Sequence, residues 1–219
     1  MNQKGTIITL AWPETPVYKE GKWYDSIMNF LGFLKNDYYK AGHSAMVLIN
    51  HSSNEIDYFD FGRYQTPHKR GRVRDKFTDS SLSIITKPII QNEKISNIEE
   101  ILKELNTIKE TNGKGKLLAS EKKINSFQKG YDKAKLLQEK GTIKYGPLTI
   151  DGTNCSRFVA KIAKTSGVGI TRYLLLKIPY TFTPTPFSNI KIINDFGYYY
   201  ELNNGEVIKK KNRLFYFKK

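Results

Sequence analysis

Apolar positions recur along the chain at two periods, near two and near 3.6 residues, and these divide it into strands and helices. Residues 6–12 are β-branched and aromatic and run into Pro13-Glu14-Thr15-Pro16, which predicts a strand closed by a turn. Trp23, Ile27, Phe30, Leu31, Leu34 and Tyr38 recur at three and four residues and predict a helix that Gly42 breaks. Residues 45–49 and 56–61 flank a polar run and predict an antiparallel hairpin. A turn centred on Ser52-Ser53 sets Ile49 opposite Ile56, Val47 opposite Tyr58, Ala45 opposite Asp60 and His43 opposite Gly62. Side chains alternate, so His43 and Asp60 then share a face.

Farther on, residues 82–86 read as a strand, and Ser96-Asn97-Ile98-Glu99 as a capping box opening a helix that buries Ile98, Ile101, Leu102, Leu105 and Ile108. Asn112-Gly113-Lys114-Gly115-Lys116 is a turn; the spacing of a phosphate-binding loop is missing. Ser126 opens a helix with Phe127, Tyr131, Ala134 and Leu137 inward. Residues 155–166 predict another, with Thr153 or Asn154 as N-cap, Phe158, Val159, Ile162 and Ala163 inward, and Gly167 closing it. After apolar residues 173–178, the proline-rich residues 179–187 predict an extended surface segment. Asn203-Asn204-Gly205-Glu206 predicts a terminal hairpin turn.

The length of 219 residues fits a single domain, with 64–142 as an inserted subregion and 188–219 as a C-terminal β-hairpin extension. A formal charge of +15 implies attraction to an acidic partner: nucleic acid, an anionic membrane or an anionic wall polymer. A generally lysine-rich composition accounts for such an excess as well. Lys209-Lys210-Lys211 beside Phe215, Tyr216 and Phe217 suits either single-stranded nucleic acid or a guarded edge strand, and the second reading is preferred. The N-terminal apolar run is too short for a signal peptide and no run has the length of a membrane span, so cytoplasmic synthesis is expected unless a specialised route exports the chain. Oligomeric state is left open.

Cys155, the one cysteine, changes the picture. It stands at the first turn of a predicted helix, where free N–H groups and the helix dipole favour a thiolate and can hold an oxyanion. A buried cysteine acting as a small hydrophobe is the competing reading, and a base has to decide. Of three histidines, His51 sits in the hairpin turn and His68 in an arginine-rich loop, both expected to be solvated, which leaves His43 with Asp60 beside it to orient the ring. Arg63, Tyr64, Arg72 and Arg74 of that loop, with Trp12, are the candidates to bind substrate; a solvated charged loop is the alternative. No His, Cys or carboxylate cluster has metal-ligand spacing, and no cofactor is expected.

Gly42-His43-Ser44-Ala45-Met46-Val47 and Asp151-Gly152-Thr153-Asn154-Cys155-Ser156-Arg157-Phe158-Val159 resemble the histidine strand and cysteine helix of the NlpC/P60 branch of papain-like cysteine peptidases. Here the histidine precedes the cysteine, so the resemblance is to circularly permuted members, including an uncharacterised bacterial family. It covers roughly residues 5–64 and 143–187; the usual glycine pair between tyrosine and cysteine is absent. The resemblance implies an α+β, papain-like domain whose antiparallel sheet packs against the cysteine-bearing helix. It further implies Cys155 as nucleophile and His43 as base, with Tyr145, alongside Asn154, near the oxyanion. The expected activity is thiol-dependent hydrolysis of an amide bond in a peptide or cell-wall peptide. Lipid or ester acyl hydrolysis or transfer is the alternative chemistry, and an inactive basic binding module the alternative of a different class. The expected partner is a peptide-like or acyl substrate, anionic in some versions, rather than nucleic acid.

Overall fold

Strand β1 (Gly5–Trp12) lies inside an eight-stranded antiparallel sheet and is buried along its whole length. The structure is a computed structural model that describes residues 3–19, 21, 34–35, 38–39, 42–178 and 183–212. On one side β1 pairs with β5 (His43–Asn50), which pairs in turn with β6 (Ile56–Gly62), β7 (Arg70–Arg74) and β11 (Ile143–Lys144). On its other side lie β10 (Leu117–Ile124), β12 (Tyr198–Asn203) and β13 (Glu206–Lys211). A small sheet joins β2 (Val17–Tyr18), β3 (Leu34–Lys35) and β4 (Tyr38–Tyr39), and β8 (Ile90–Gln91) pairs with β9 (Lys94–Ile95).

The large sheet is covered on both faces, which is why β1 and β5 are nearly continuous apolar runs. Helices α2 (Phe127–Gln138), α3 (Cys155–Ser166), α4 (Ile170–Lys177) and α5 (Pro186–Ile192) cover one face, where Ile7, Met46, Leu48, Phe59 and Phe61 meet Phe127, Phe158, Val159, Ile162 and Leu176. The other face carries Ile8, Leu10, Trp12, Val47 and Tyr58, and is sealed by α1 (Ile98–Thr107) through Ile98, Ile101, Leu102 and Leu105.

Three local expectations match these elements. The β5–β6 register is as predicted, with Ile49 opposite Ile56, Val47 opposite Tyr58 and Ala45 opposite Asp60. Helix α2 starts at Ser126, whose hydroxyl accepts from the Lys129 N–H at 3.2 Å. Replacing Ser126 by alanine is expected to cost about 1 kcal/mol in urea unfolding, the usual worth of an N-cap hydroxyl. The terminal hairpin turns at Asn204 and Gly205, both at positive φ, and β13 forms an outer edge studded with lysines.

Several expectations fail. The predicted helix over Trp23 to Tyr38 falls largely outside the described residues, but Leu34 and Tyr38 lie in β3 and β4; aromatic Tyr38 pairs with Tyr18 as a strand former. Residues 82–86 are not a strand: Ser80–Leu82 is a 3-10 turn, after which the Ile85 and Thr86 N–H groups donate to the Glu104 carboxylate. The capping box at Ser96 does not form, because Asn97 is the cap position and its side chain is engaged by Ile89 and Lys87. Phe187, expected in an extended segment, lies in α5, which Thr185 and Ser188 open with a reciprocal capping box. Of the arginine-rich run 63–74, residues 63–69 are irregular as expected, whereas Arg70–Arg74 form strand β7. The stretch 64–142 contributes β7 and β10 to the large sheet and α2 to the helical layer over it.

Candidate active site

Helix α3 begins at Cys155 because Asn154, in extended conformation, caps it: Asn154 Oδ1 accepts from the Arg157 N–H at 2.8 Å. Asn154 is thus engaged in holding the helix end. The N–H groups of Cys155 and Ser156 stand in the first turn, where no intrahelical acceptor exists. Gly167, at φ 79°, closes the other end as expected. Tyr145 bridges Thr153, stacks on Phe61 at 5.8 Å and lies under the Arg63 guanidinium at 5.1 Å. It is therefore built into the wall that supports the loop before α3.

The structure brings Cys155 and His43 together. They come from different layers: Cys155 from the helix over one face, His43 from the first position of β5, with its side chain on the parity of Ala45 and Val47 that faces the other. They meet at the end of the sheet, where the thiol interacts with the imidazole, with the Ser44 backbone N–H and, at 3.9 Å, with the Ser156 hydroxyl. Both are nearly enclosed, Cys155 at 5% exposure and His43 at 8%. Trp12, paired across the sheet with His43, stacks on the ring at 5.8 Å and 20°. Trp12 is thereby a wall of the site, buried against His43, and not an open substrate contact.

Asp60 completes the constellation. His43 Nε2 lies 3.4 Å from Asp60 Oδ2 and 3.2 Å from the Tyr64 hydroxyl, which itself donates to Asp60 Oδ2 at 2.9 Å. With its hydrogen given to the carboxylate, the Tyr64 oxygen is left to accept from Nε2–H, and Nδ1 is the ring nitrogen left for the thiol. Tyr58 also donates to Asp60, at 3.1 Å. Arg74, directly opposite Asp60 in the β6–β7 ladder, grips the same carboxylate with two bonds of 3.0 and 2.6 Å and lies over the Tyr64 ring.

These contacts set the protonation states. Burial opposes charge on His43, but the Asp60 hydrogen bond and the adjacent Cys155 outweigh it and raise the imidazole to about 9. Burial would likewise raise the thiol, yet His43, by hydrogen bond and charge, brings it below its ordinary value, helped by Ser156 and the Ser44 N–H. The Asp60 carboxyl, against the effect of its burial, is held below the usual range by His43 and Arg74. Burial, reinforced by Asp60, pushes the Tyr64 phenol well up, so it stays a neutral donor. Both shifts act in the direction of a thiolate–imidazolium pair, the thiol lowered and the imidazole raised. Replacing Tyr64 by phenylalanine removes the near acceptor of Nε2–H, and alkylation of Cys155 at neutral pH is expected to slow about fivefold, the worth of one hydrogen bond of ~1 kcal/mol. An unchanged pH–rate profile would reduce Tyr64 to a packing residue.

The arginines expected to clamp substrate are engaged internally. Arg72 makes two bonds to Asp79 at 2.8 and 2.9 Å, Arg74 holds Asp60, and Arg70 donates to Thr142. Arg63 donates to the Tyr18 carbonyl. Of the other histidines, His68 is exposed as expected, whereas His51 is half-buried with Nε2 2.8 Å from the Thr6 hydroxyl. Arg74 as the counter-ion of Asp60 escaped the reading of the sequence, although the alternation of Arg70, Arg72 and Arg74 was the signal of a strand with three arginines on one face. Among the described residues no group of three His, Cys, Asp or Glu side chains is placed to hold a metal ion.

A family model described as type VI secretion system effector TseH-like matches residues 7–168, a span that contains His43, Asp60 and Cys155. Among solved structures, the chain is similar to the crystal structure of the type VI secretion system effector TseH, with a TM-score of 0.59 and 16% identity over 96% of this chain and 100% of that one. At that identity the likeness concerns the fold. No curated protein matches the chain. Because the family model spans most of its length, the chain belongs to the TseH-like family of type VI secretion system effectors.

Proposed function

We propose that this effector is a thiol-dependent hydrolase of amide bonds in peptides or cell-wall peptides, working through Cys155, His43 and Asp60 on a permuted papain-like scaffold. The single observation that carries the reading is the buried Cys155 thiol at a helix N-terminus, lowered by His43, whose Nε2 lies 3.4 Å from the buried Asp60 carboxylate. A structural cysteine has no need of such a partner.

In this reaction the Cys155 sulfur attacks the substrate carbonyl, and the oxyanion forms beside the N–H groups of the first turn of α3. Imidazolium His43 then gives its Nδ1 proton to the leaving amine, the C–N bond breaks, and a thioester remains on Cys155. Water attacks the thioester after losing its proton to His43, which releases the carboxylic acid and restores the pair. Asp60 and Tyr64 hold the ring through Nε2 at both steps. Delivery by a type VI secretion apparatus is the specialised export route for which a chain of this family is suited.

The test is incubation of the protein with peptidoglycan-derived muropeptides and with peptide amides, followed by mass spectrometry. New amine and carboxylate termini that disappear in Cys155→Ala are expected. Intact substrates together with a thiol unreactive until the protein unfolds would remove the enzyme reading. Release of fatty acid from lipid esters alone would replace amide by acyl chemistry.

A further inference from the structure

Helix α4 packs one side against the fold and leaves a second apolar stripe outside it. Leu176 and Arg172 face inward, the latter bonded to the Asn194 carbonyl, and Leu175 packs partly into the core. Ile170 and Leu174 lie four apart on the outward stripe and Ile178 follows at the residue that ends the helix, with exposures of 72%, 49% and 74%. Exposed apolar side chains gathered on one face normally have a partner. Ile150, at 82%, and Leu148 add to the unburied apolar surface from the loop before α3, on the other wall of a cleft of about 460 Å³ that also reaches Leu176 and Lys177.

The same cleft is strongly cationic. Arg157, Lys161 and Lys164 rise from the outer side of α3 and Lys177 from α4, and no carboxylate lines it among the described residues. The Arg157 guanidinium is anchored by the carbonyls of Gly146, Pro147 and Thr149, not by an acid. Lys161 is depressed by partial burial and then by Lys133, Arg157, Lys140 and Lys164; Lys164 is depressed by burial and by Lys177 and Arg157. The charges acting on both lysines are cations. By contrast, Lys122, Lys123 and Lys135 elsewhere in the fold lie against acidic side chains.

We propose that this face, built from α4, the outer side of α3 and the loop 147–153, docks on an anionic lipid surface, with the α4 stripe entering the headgroup region and the lysines meeting lipid phosphates. The choice among occupants follows from the two features together. A second copy of the chain would bring one cationic cluster against another. A soluble polyanion would neutralise the lysines and leave the Ile170–Leu174–Ile178 stripe in water. An anionic bilayer surface takes both the apolar side chains and the charges. On the helical wheel Arg157, Lys161 and Lys164 lie opposite the inward stripe that carries Cys155, so the surface is separate from the thiol site and independent of its chemistry.

Co-sedimentation of the full chain with phosphatidylcholine vesicles, with and without phosphatidylglycerol, tests the proposal at low salt. Binding to the anionic vesicles alone is expected, weakened roughly a hundredfold by Lys161→Glu/Lys164→Glu/Lys177→Glu and about tenfold by Ile170→Ser/Leu174→Ser. Cys155→Ala is expected to bind like the parent, so the outcome is separable from that of the hydrolase assay. The serine pair alters exposed positions and keeps the test valid if the charge-reversed chain fails to fold. A parent chain that stays in the supernatant with anionic vesicles overturns the proposal. So does a serine pair that binds undiminished, which would mean attraction of charge alone, or a dimer in light scattering that the serine pair dissociates.

Discussion

Replacing His43 by alanine is expected to slow alkylation of Cys155 by iodoacetamide at about pH 6.5 roughly a hundredfold, because the thiol loses the charge that keeps it ionised. In the parent protein the thiol is held below its ordinary value and the imidazole is raised to about 9. As pH rises, the sulfur is expected to ionise below its ordinary range while the ring keeps its proton to about 9, so alkylation is expected to set in at lower pH than for an isolated thiol. It changes again near 9, where the imidazolium titrates. Without His43, only the Ser156 and Ser44 contacts oppose burial, and the rate is expected to climb through the alkaline range instead. A parent chain with that alkaline profile would show that no ion pair exists. The hydrolase proposal would then lose its nucleophile.

The second large effect is expected at Arg74. Asp60 is fully buried and Arg74 nearly so, and the guanidinium makes two of the hydrogen bonds that satisfy the carboxylate. Arg74→Ala leaves a buried acid with Tyr58, Tyr64 and His43 as its remaining partners, and a loss of about 3–5 kcal/mol in urea unfolding is expected. Combining it with Asp60→Asn is expected to cost less than the sum of the single changes, since neither charge is then left without its counter-ion. Additive effects of under about 1 kcal/mol each would mean that the pair carries little of the stability. The sign of the pH dependence follows from the carboxyl. Its folded value is lowered from 3.8, so its contribution is complete above that pH and is lost as pH falls through the lower folded value. Arg74→Ala is expected to flatten this acid limb, which a series of unfolding curves between about pH 2 and 5 would reveal.

These two predictions concern one network, and only part of it was legible along the chain. The hairpin register placed Ala45 opposite Asp60 and thereby set Asp60 on the face of His43, because a short polar turn leaves few alignments that keep both strands apolar. The cap at Asn154 and the glycine at 167 bounded the cysteine helix for equally local reasons. Arg74 was hidden by the irregular residues between β6 and β7: a connection without a turn signal does not set the register that makes it the partner of Asp60. The order of the sheet was hidden more deeply. Strands β1 and β10 pair Gly5 with Ile124 and Ala11 with Leu118, a match across more than a hundred positions that no local pattern announces.

The amino-acid order by itself determined which segments are helix and strand where periodicity, caps and turns agree, and which cysteine and histidine were worth pairing, since these depend on neighbours within a few positions. The tertiary structure alone decided that the sulfur from one layer and the imidazole on the other face's parity meet at the end of the sheet. It also turned Arg72 and Arg74 inward to Asp79 and Asp60, and left the outward stripe of α4 uncovered. Those outcomes rest on packing between elements remote in the chain, where burial and counter-ions are set by the whole fold rather than by the residues adjoining each group.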